Sequence, residues 1–71
     1  MDPDLFCLVG ESLFGDRWQT AMAEELGVNS RTIRRWVSGD NAVPDSVQKE
    51  LLEICEERQQ VWPELIKRLS Q

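Results

Sequence analysis

The chain has 71 residues, of which 41% are hydrophobic and 30% are charged, and its formal net charge is −5. A chain this short forms one domain and buries only about 60% of the surface that its unfolded form exposes, so oligomerisation is a common additional source of stability. It has no histidine and only two cysteines, Cys7 and Cys55, which excludes a four-ligand structural zinc site. We expect one small domain with no metal site and no cofactor.

The composition also bears on location and redox state. No apolar run approaches the roughly 18 residues of a membrane helix, and the acidic N-terminus is unlike the basic start of a signal peptide. We therefore expect a cytoplasmic protein that does not enter a membrane. Cys7 and Cys55 lie among apolar residues and are expected to be free thiols. A single disulfide between them is the alternative.

The first predicted helix covers residues 3–14. Asp2 is a suitable N-cap, and Pro3 at the first helical position has the backbone angle that a helix start requires. Gly15 ends the helix. Gly10 lies inside it and is expected to weaken it.

A second helix is predicted to begin after Asp16 and to end at Gly27. Asp16 and Gln19 have the spacing of a capping box. A third helix follows over residues 31–37, with Asn29 or Ser30 as its N-cap.

The last predicted helix opens at Pro44 and has apolar residues at steps of three and four as far as Leu69. Pro63 interrupts this pattern, because a proline inside a helix removes a hydrogen bond and clashes with the carbonyl four residues earlier. We expect either a kink at Pro63 or a fifth short helix that begins there. The fold class is thus all-α, a bundle of four or five helices.

The stretch from residue 19 to residue 37 has the spacing of two short helices joined by a tight turn. Helices that cross steeply need a small side chain at their contact, here Ala23, and the turn needs a residue that accepts positive φ, here Gly27. Ile33 and Trp36, three residues apart, anchor the third helix to the core. The side chains predicted to fill the wedge between the two helices are Met22, Leu26 and Val28. These offsets are those of a helix-turn-helix.

The spacing Ala23-x3-Gly27-Val28-x4-Ile33-x2-Trp36, with a glycine at 39, resembles the DNA-binding domains of the lambda repressor and Cro superfamily. It is most similar to small bacterial and phage variants whose third helix reads TIRRW or TVRRW. The resemblance covers residues 4–58. It implies sequence-specific binding of double-stranded DNA by a homodimer that acts as a transcriptional repressor or autoregulator. The DNA-binding residues that it implies are Gln19, Asn29, Ser30, Arg31, Thr32, Arg34 and Arg35.

The residues themselves support a nucleic-acid face on the third helix. Arg31, Arg34 and Arg35 have no acidic neighbour between residues 29 and 37, so this strip is locally +3, and arginine matches the O6 and N7 atoms of guanine. The alternative is a solvated helix face, although three arginines this close repel each other. Gln19 has an equally good explanation in its capping box.

Residues 1–71 are predicted to form a single domain with its core in residues 4–58 and a helical tail in residues 59–71. The tail carries an apolar stripe that one small domain would struggle to cover, and such patches usually mark an interface. The stripe, which is the candidate dimer interface, consists of Trp62, Leu65, Ile66 and Leu69. The alternative is a tail that folds back on the first helix.

The sequence also bears on two functions other than DNA binding. The chain has no histidine or tyrosine and no glycine-rich phosphate loop, so we do not expect an enzyme, and no small-molecule effector is indicated. A protein-interaction module is the stronger alternative, because an acidic helix-turn-helix protein could instead bind a basic protein partner. The acidic residues Glu50, Glu53, Glu56 and Glu57 are most simply the solvated face of the fourth helix.

Overall fold

A computed structural model describes residues 1–70 as four helices joined by short turns, with no strand in that range. The helices are α1 (Pro3–Phe14), α2 (Trp18–Leu26), α3 (Ser30–Ser38) and α4 (Asp45–Leu69). Helices α1, α2 and α3 pack against one another, and the first half of α4 adds two buried residues to their core. The all-α fold class is therefore confirmed, and residues 1–70 contain four helices.

The start and end of α1 follow from its local sequence. The Asp2 carboxylate accepts a hydrogen bond of 2.9 Å from the Leu5 backbone N–H, and Pro3 is the first helical residue. Gly15 ends the helix with φ of 81° and donates its N–H to the Glu11 carbonyl. This positive φ strains any residue with a Cβ, so the glycine stops the helix where the sequence predicts.

The predicted capping box of α2 is wrong. Arg17 occupies the N-cap position and makes no side-chain cap hydrogen bond, and its φ of −98° and ψ of 37° differ from the extended backbone of a capping residue. The first helical residue is Trp18, which is only 5% exposed. We infer that burial of this ring, rather than an interaction between Asp16 and Gln19, determines where α2 begins.

Of the two outcomes expected at Pro63, a kink or a fifth helix, the described residues show no fifth helix, because α4 continues through Pro63 to Leu69. A proline there removes the hydrogen bond to the carbonyl of Gln59, at a cost of about 3 kcal/mol in a helix interior. Gln59 is exposed, so water can satisfy that carbonyl. The 25 residues of α4 extend about 37 Å at 1.5 Å per residue.

Phe6 lies at the centre of the core and is fully buried. Its ring meets Trp18 of α2 at 5.5 Å and Trp36 of α3 at 5.7 Å between centroids, both edge to face. Such pairs contribute about 0.5–1.5 kcal/mol beyond the area that they bury. The buried core residues are Phe6, Trp18, Met22, Ala23, Ile33, Trp36, Val43, Val47 and Leu51. One aromatic ring therefore fixes α2 and α3 relative to α1.

The tail does not fold back on α1. Arg58 is the last partly buried residue of α4; its Nη1 donates a hydrogen bond to the Leu13 carbonyl, and its guanidinium lies 5.5 Å from the centroid of the Phe14 ring. All residues from 59 to 70 are exposed, and the molecule measures 48 × 22 × 21 Å. Within residues 1–70, no helix combines the length and the apolarity needed to cross a bilayer.

Candidate nucleic-acid interface

The turn between α2 and α3 has a defined geometry. Gly27 adopts the left-handed conformation, with φ of 68° and ψ of 32°. Val28 donates its N–H to the Ala23 carbonyl at 2.9 Å, which is the long bond of a Schellman motif. Val28 is also half-buried against the core, and Ala23 is buried as predicted. The direction in which α3 leaves α2 is thus fixed by hydrogen bonds and by packing.

The first turn of α3 is capped by Asn29, one of the two residues predicted for that position. Its Oδ1 accepts a hydrogen bond of 2.8 Å from the Arg31 N–H, and its backbone carbonyl accepts one of 2.9 Å from the Thr32 N–H. On the inner face of the helix, Ile33 is 0% exposed and Trp36 is 5% exposed. These two anchors set the rotation of α3 about its own axis.

The opposite face of α3 presents Arg31, Arg34 and Arg35, which we call the arginine strip. All three side chains are exposed, and their spacing of three and four residues places them on one side of the helix. Among the described residues there is one salt bridge, between Arg68 and Glu64 in the tail. No described carboxylate is therefore paired with an arginine of the strip. Like charges at this spacing destabilise a helix by about 0.2–0.5 kcal/mol per pair. The strip therefore offers three free guanidinium groups at some cost to the fold.

Of the other predicted site residues, three lie at the start of α3 and one lies on α2. Ser30 is exposed at the start of α3 and Thr32 is half-buried, so the structure brings both to the same helical turn as Arg31. The Oδ1 of Asn29 is engaged in the cap. Gln19 belongs to α2, as its second residue, and is half-buried.

One candidate site residue, Arg17, is not among those predicted from the sequence. Arg17 is exposed and directly precedes α2, where it adds a cation next to the positive end of that helix dipole. The sequence signal for it is an arginine two residues before Gln19, at a position that the predicted capping box assigns to the interior of the helix.

The fold and this surface together define a small all-helical domain with one exposed cationic helix face. Residues 11–71 match the sequence model of the Aca2/YdiL-like family. Because the match covers most of the chain, the protein belongs to this family of small helical domains related to phage and bacterial regulators. Neither the curated proteins nor the solved structures contain a match. The family match includes the tail beyond Arg58, which the resemblance to the lambda repressor and Cro superfamily does not cover.

Proposed function

We propose that this protein binds specific sequences in double-stranded DNA as a homodimer and acts as a small phage or bacterial transcriptional repressor or autoregulator. In this proposal α2, the turn and α3 serve as a helix-turn-helix, and α3 enters the major groove. The observation that carries the proposal is the unpaired arginine strip, which lies opposite the two buried anchors Ile33 and Trp36.

The chemistry of the strip suits base recognition. A guanidinium forms two parallel hydrogen bonds with guanine, and each such pair discriminates against a wrong base by about 1–3 kcal/mol. The residues nearest the N-terminus of a recognition helix reach base edges, which assigns that role to Ser30 and Arg31 first. The preceding helix crosses the DNA backbone, so Arg17 and Gln19 at the start of α2 are the candidate phosphate contacts.

The negative net charge is compatible with this proposal because the charge is unevenly distributed. Between residues 45 and 57, α4 carries five carboxylates and a single lysine, Lys49, whereas residues 29–37 carry three arginines and no acid. Acidic surface repels phosphate and leaves α3 as the favourable approach. The same acidic surface favours a second candidate function, the binding of a basic protein partner.

The test is a selection from random-sequence duplexes by the purified protein, followed by sequencing. We expect enrichment of a two-fold symmetric site that Arg31→Ala/Arg35→Ala no longer selects. Lys49→Ala, which removes an exposed cation from α4, is the control for loss of charge and should select the same site.

A salt titration on the selected duplex adds a quantitative check. A dimer that makes about six phosphate contacts should give a slope of affinity against salt near −5 on logarithmic axes. If no sequence is enriched even at low salt, DNA recognition is refuted, and the acidic surface becomes the candidate site for a basic protein.

A further inference from the structure

Helix α4 rests on the body of the molecule, which we define as α1, α2 and α3, through a single row of side chains. Within residues 45–70 every position is exposed except four. Their spacing of four, three and four residues places them on one face of the helix. The four are Val47, Leu51, Ile54 and Arg58. Arg58 is therefore the last point at which α4 is held before the exposed tail begins.

Arg58 contacts the end of α1 in two ways. Its Nη1 donates a hydrogen bond to the Leu13 carbonyl, one of the last carbonyls of α1, which lack partners inside a helix. Its guanidinium carbon lies 5.5 Å from the centroid of the half-buried Phe14 ring, within the range of a cation–π contact. The last turn of α1 has no basic residue of its own, so Arg58 also supplies the cation that stabilises a helix C-terminus.

These contacts lengthen the base on which α4 rests. At 1.5 Å per residue, the row from Val47 to Arg58 extends about 16.5 Å along the helix, whereas the row from Val47 to Ile54 extends only about 10.5 Å. The tail then projects beyond Arg58 as far as Leu69 with every residue exposed. A helix on a shorter base tilts further for the same slack in its contacts, so without Arg58 the direction of the tail would be held less firmly.

A small tilt of α4 would move the tail by a distance that matters for DNA binding. Leu69 lies 18 residues beyond Leu51, or about 27 Å along the helix. A tilt of about 10° about Leu51 would therefore displace the end of the tail by about 5 Å relative to the body. One base-pair step is about 3.4 Å. In a dimer joined through its tails, such a tilt would change the separation of the two DNA-reading units by more than one base pair.

We propose that Arg58 is a positioning residue, which fixes the angle at which the tail leaves the body and, in the dimer, the spacing of the two half-sites that are bound. The first part is a property of the single chain, and the second part rests on the proposed function. The same contacts could serve only as a cap of α1. A cap would stabilise the fold without any effect on the direction of the tail, so the two roles are separable by experiment.

Distances between spin labels test the first part. In a Cys7→Ala/Cys55→Ser background, labels at Glu25→Cys on α2 and at Lys67→Cys in the tail report the angle between body and tail. Both positions are exposed, and an excess of unlabelled protein suppresses distances between copies. We expect one narrow distance distribution, which Arg58→Met should shift or broaden by about 4 Å, as a tilt of about 10° implies. A second tail label at Gln60→Cys, before Pro63, should move as well, by about 2 Å.

Arg68→Met is the matched control, because it removes the same charge from the same helix at a tail position whose partner is Glu64. It should leave both distances unchanged. Arg58→Met should also lower Tm by about 4–8 °C, the loss that a cap of α1 alone would give. A lower Tm with unchanged distances would overturn the positioning role. Movement of the Lys67 label without movement of the Gln60 label would also overturn it, because the tail would then bend at Pro63.

The spacing of the operator tests the second part. The duplex selected by the wild-type protein is compared with one in which a single base pair is inserted between the half-sites. The wild type should bind the longer duplex about tenfold or more weakly, because the DNA must untwist to fit. Arg58→Met should bind the two duplexes within about threefold of each other, because its reading units are no longer preorganised. Equal discrimination by both proteins would overturn the link to spacing. Failure to select any duplex would overturn the proposed function, and the spin-label distances would still decide the role of Arg58.

Discussion

Substitution of Gly10 by alanine provides a sharp test of the core, because two effects of opposite sign compete at this position. Alanine in a helix interior is favoured over glycine by about 0.8–1.0 kcal/mol. Gly10, however, is buried in α1 beneath the indole of Trp18. A Cβ at this position would lie 2.5 Å from Trp18 Cδ2 and 2.7 Å from Cζ3, and it would meet Cε3 as well.

The clash should outweigh the gain in helix propensity. Carbon atoms pack at about 3.5–4.0 Å, so the Trp18 ring must move by about 1 Å, yet this ring also packs edge to face against Phe6, with 5.5 Å between centroids. Overpacking of this kind costs about 1–3 kcal/mol. Because the added Cβ would lie closer than 3.0 Å to three atoms of the ring, the cost is at the upper end of that range, and we therefore expect Gly10→Ala to lower the free energy of unfolding by about 2 kcal/mol net, or roughly 8–16 °C in Tm for a domain of this size.

The assay is urea and thermal unfolding followed by far-UV circular dichroism, at one fixed protein concentration because dimerisation would add concentration-dependent stability. Ser12→Ala, at an exposed position of the same helix, is the control and should be neutral or slightly stabilising. A Gly10→Ala variant as stable as the wild type would refute the packing of Trp18 against the backbone of α1.

Two further predictions concern other buried groups. Trp36→Ala should destabilise the fold by about 3–5 kcal/mol, measured by the same unfolding experiments, whereas Trp62→Ala should leave the secondary structure of the monomer unchanged; equal losses would mean that the core is wrongly assigned. Burial raises the pKa of the Cys7 thiol, and the negative charges of Glu11 and Asp4 raise it further. In a Cys55→Ser variant, alkylation of Cys7 at pH 8 should therefore be slower in the folded protein than in the unfolded chain, and it should accelerate as the pH rises through the raised pKa. Equal rates in the folded and unfolded protein would contradict the partial burial of Cys7.

The parts of the fold that the sequence predicts are those with a local cause. Asp2 and Gly15 bound α1, Gly27 forms the turn and Asn29 caps α3, and in each case the residue acts on backbone groups a few positions away. The outward direction of the arginine strip follows in the same way from helical spacing relative to Ile33 and Trp36. These features need no knowledge of which helices meet.

The parts that the sequence did not predict depend on contacts between elements. The role of Gly10 arises only when α2 places Trp18 against α1. The start of α2 follows from burial of that same ring, which overrides a capping box that is favourable locally. The long α4 passes through Pro63 because its surroundings there are solvent rather than packed helices. Arg58 joins α4 to the end of α1 through a carbonyl and a ring 45 and 44 residues away in sequence.

Whether α3 is the surface that contacts DNA can be read from an NMR titration of ¹⁵N-labelled protein with the selected duplex and with a scrambled duplex of equal length. We expect the selected duplex to shift or broaden the amide signals of residues 29–35, together with those of Arg17 and Gln19, and we expect Arg31→Ala to remove the difference between the two duplexes. Amide changes confined to α4, or identical responses to both duplexes, would contradict this role of α3.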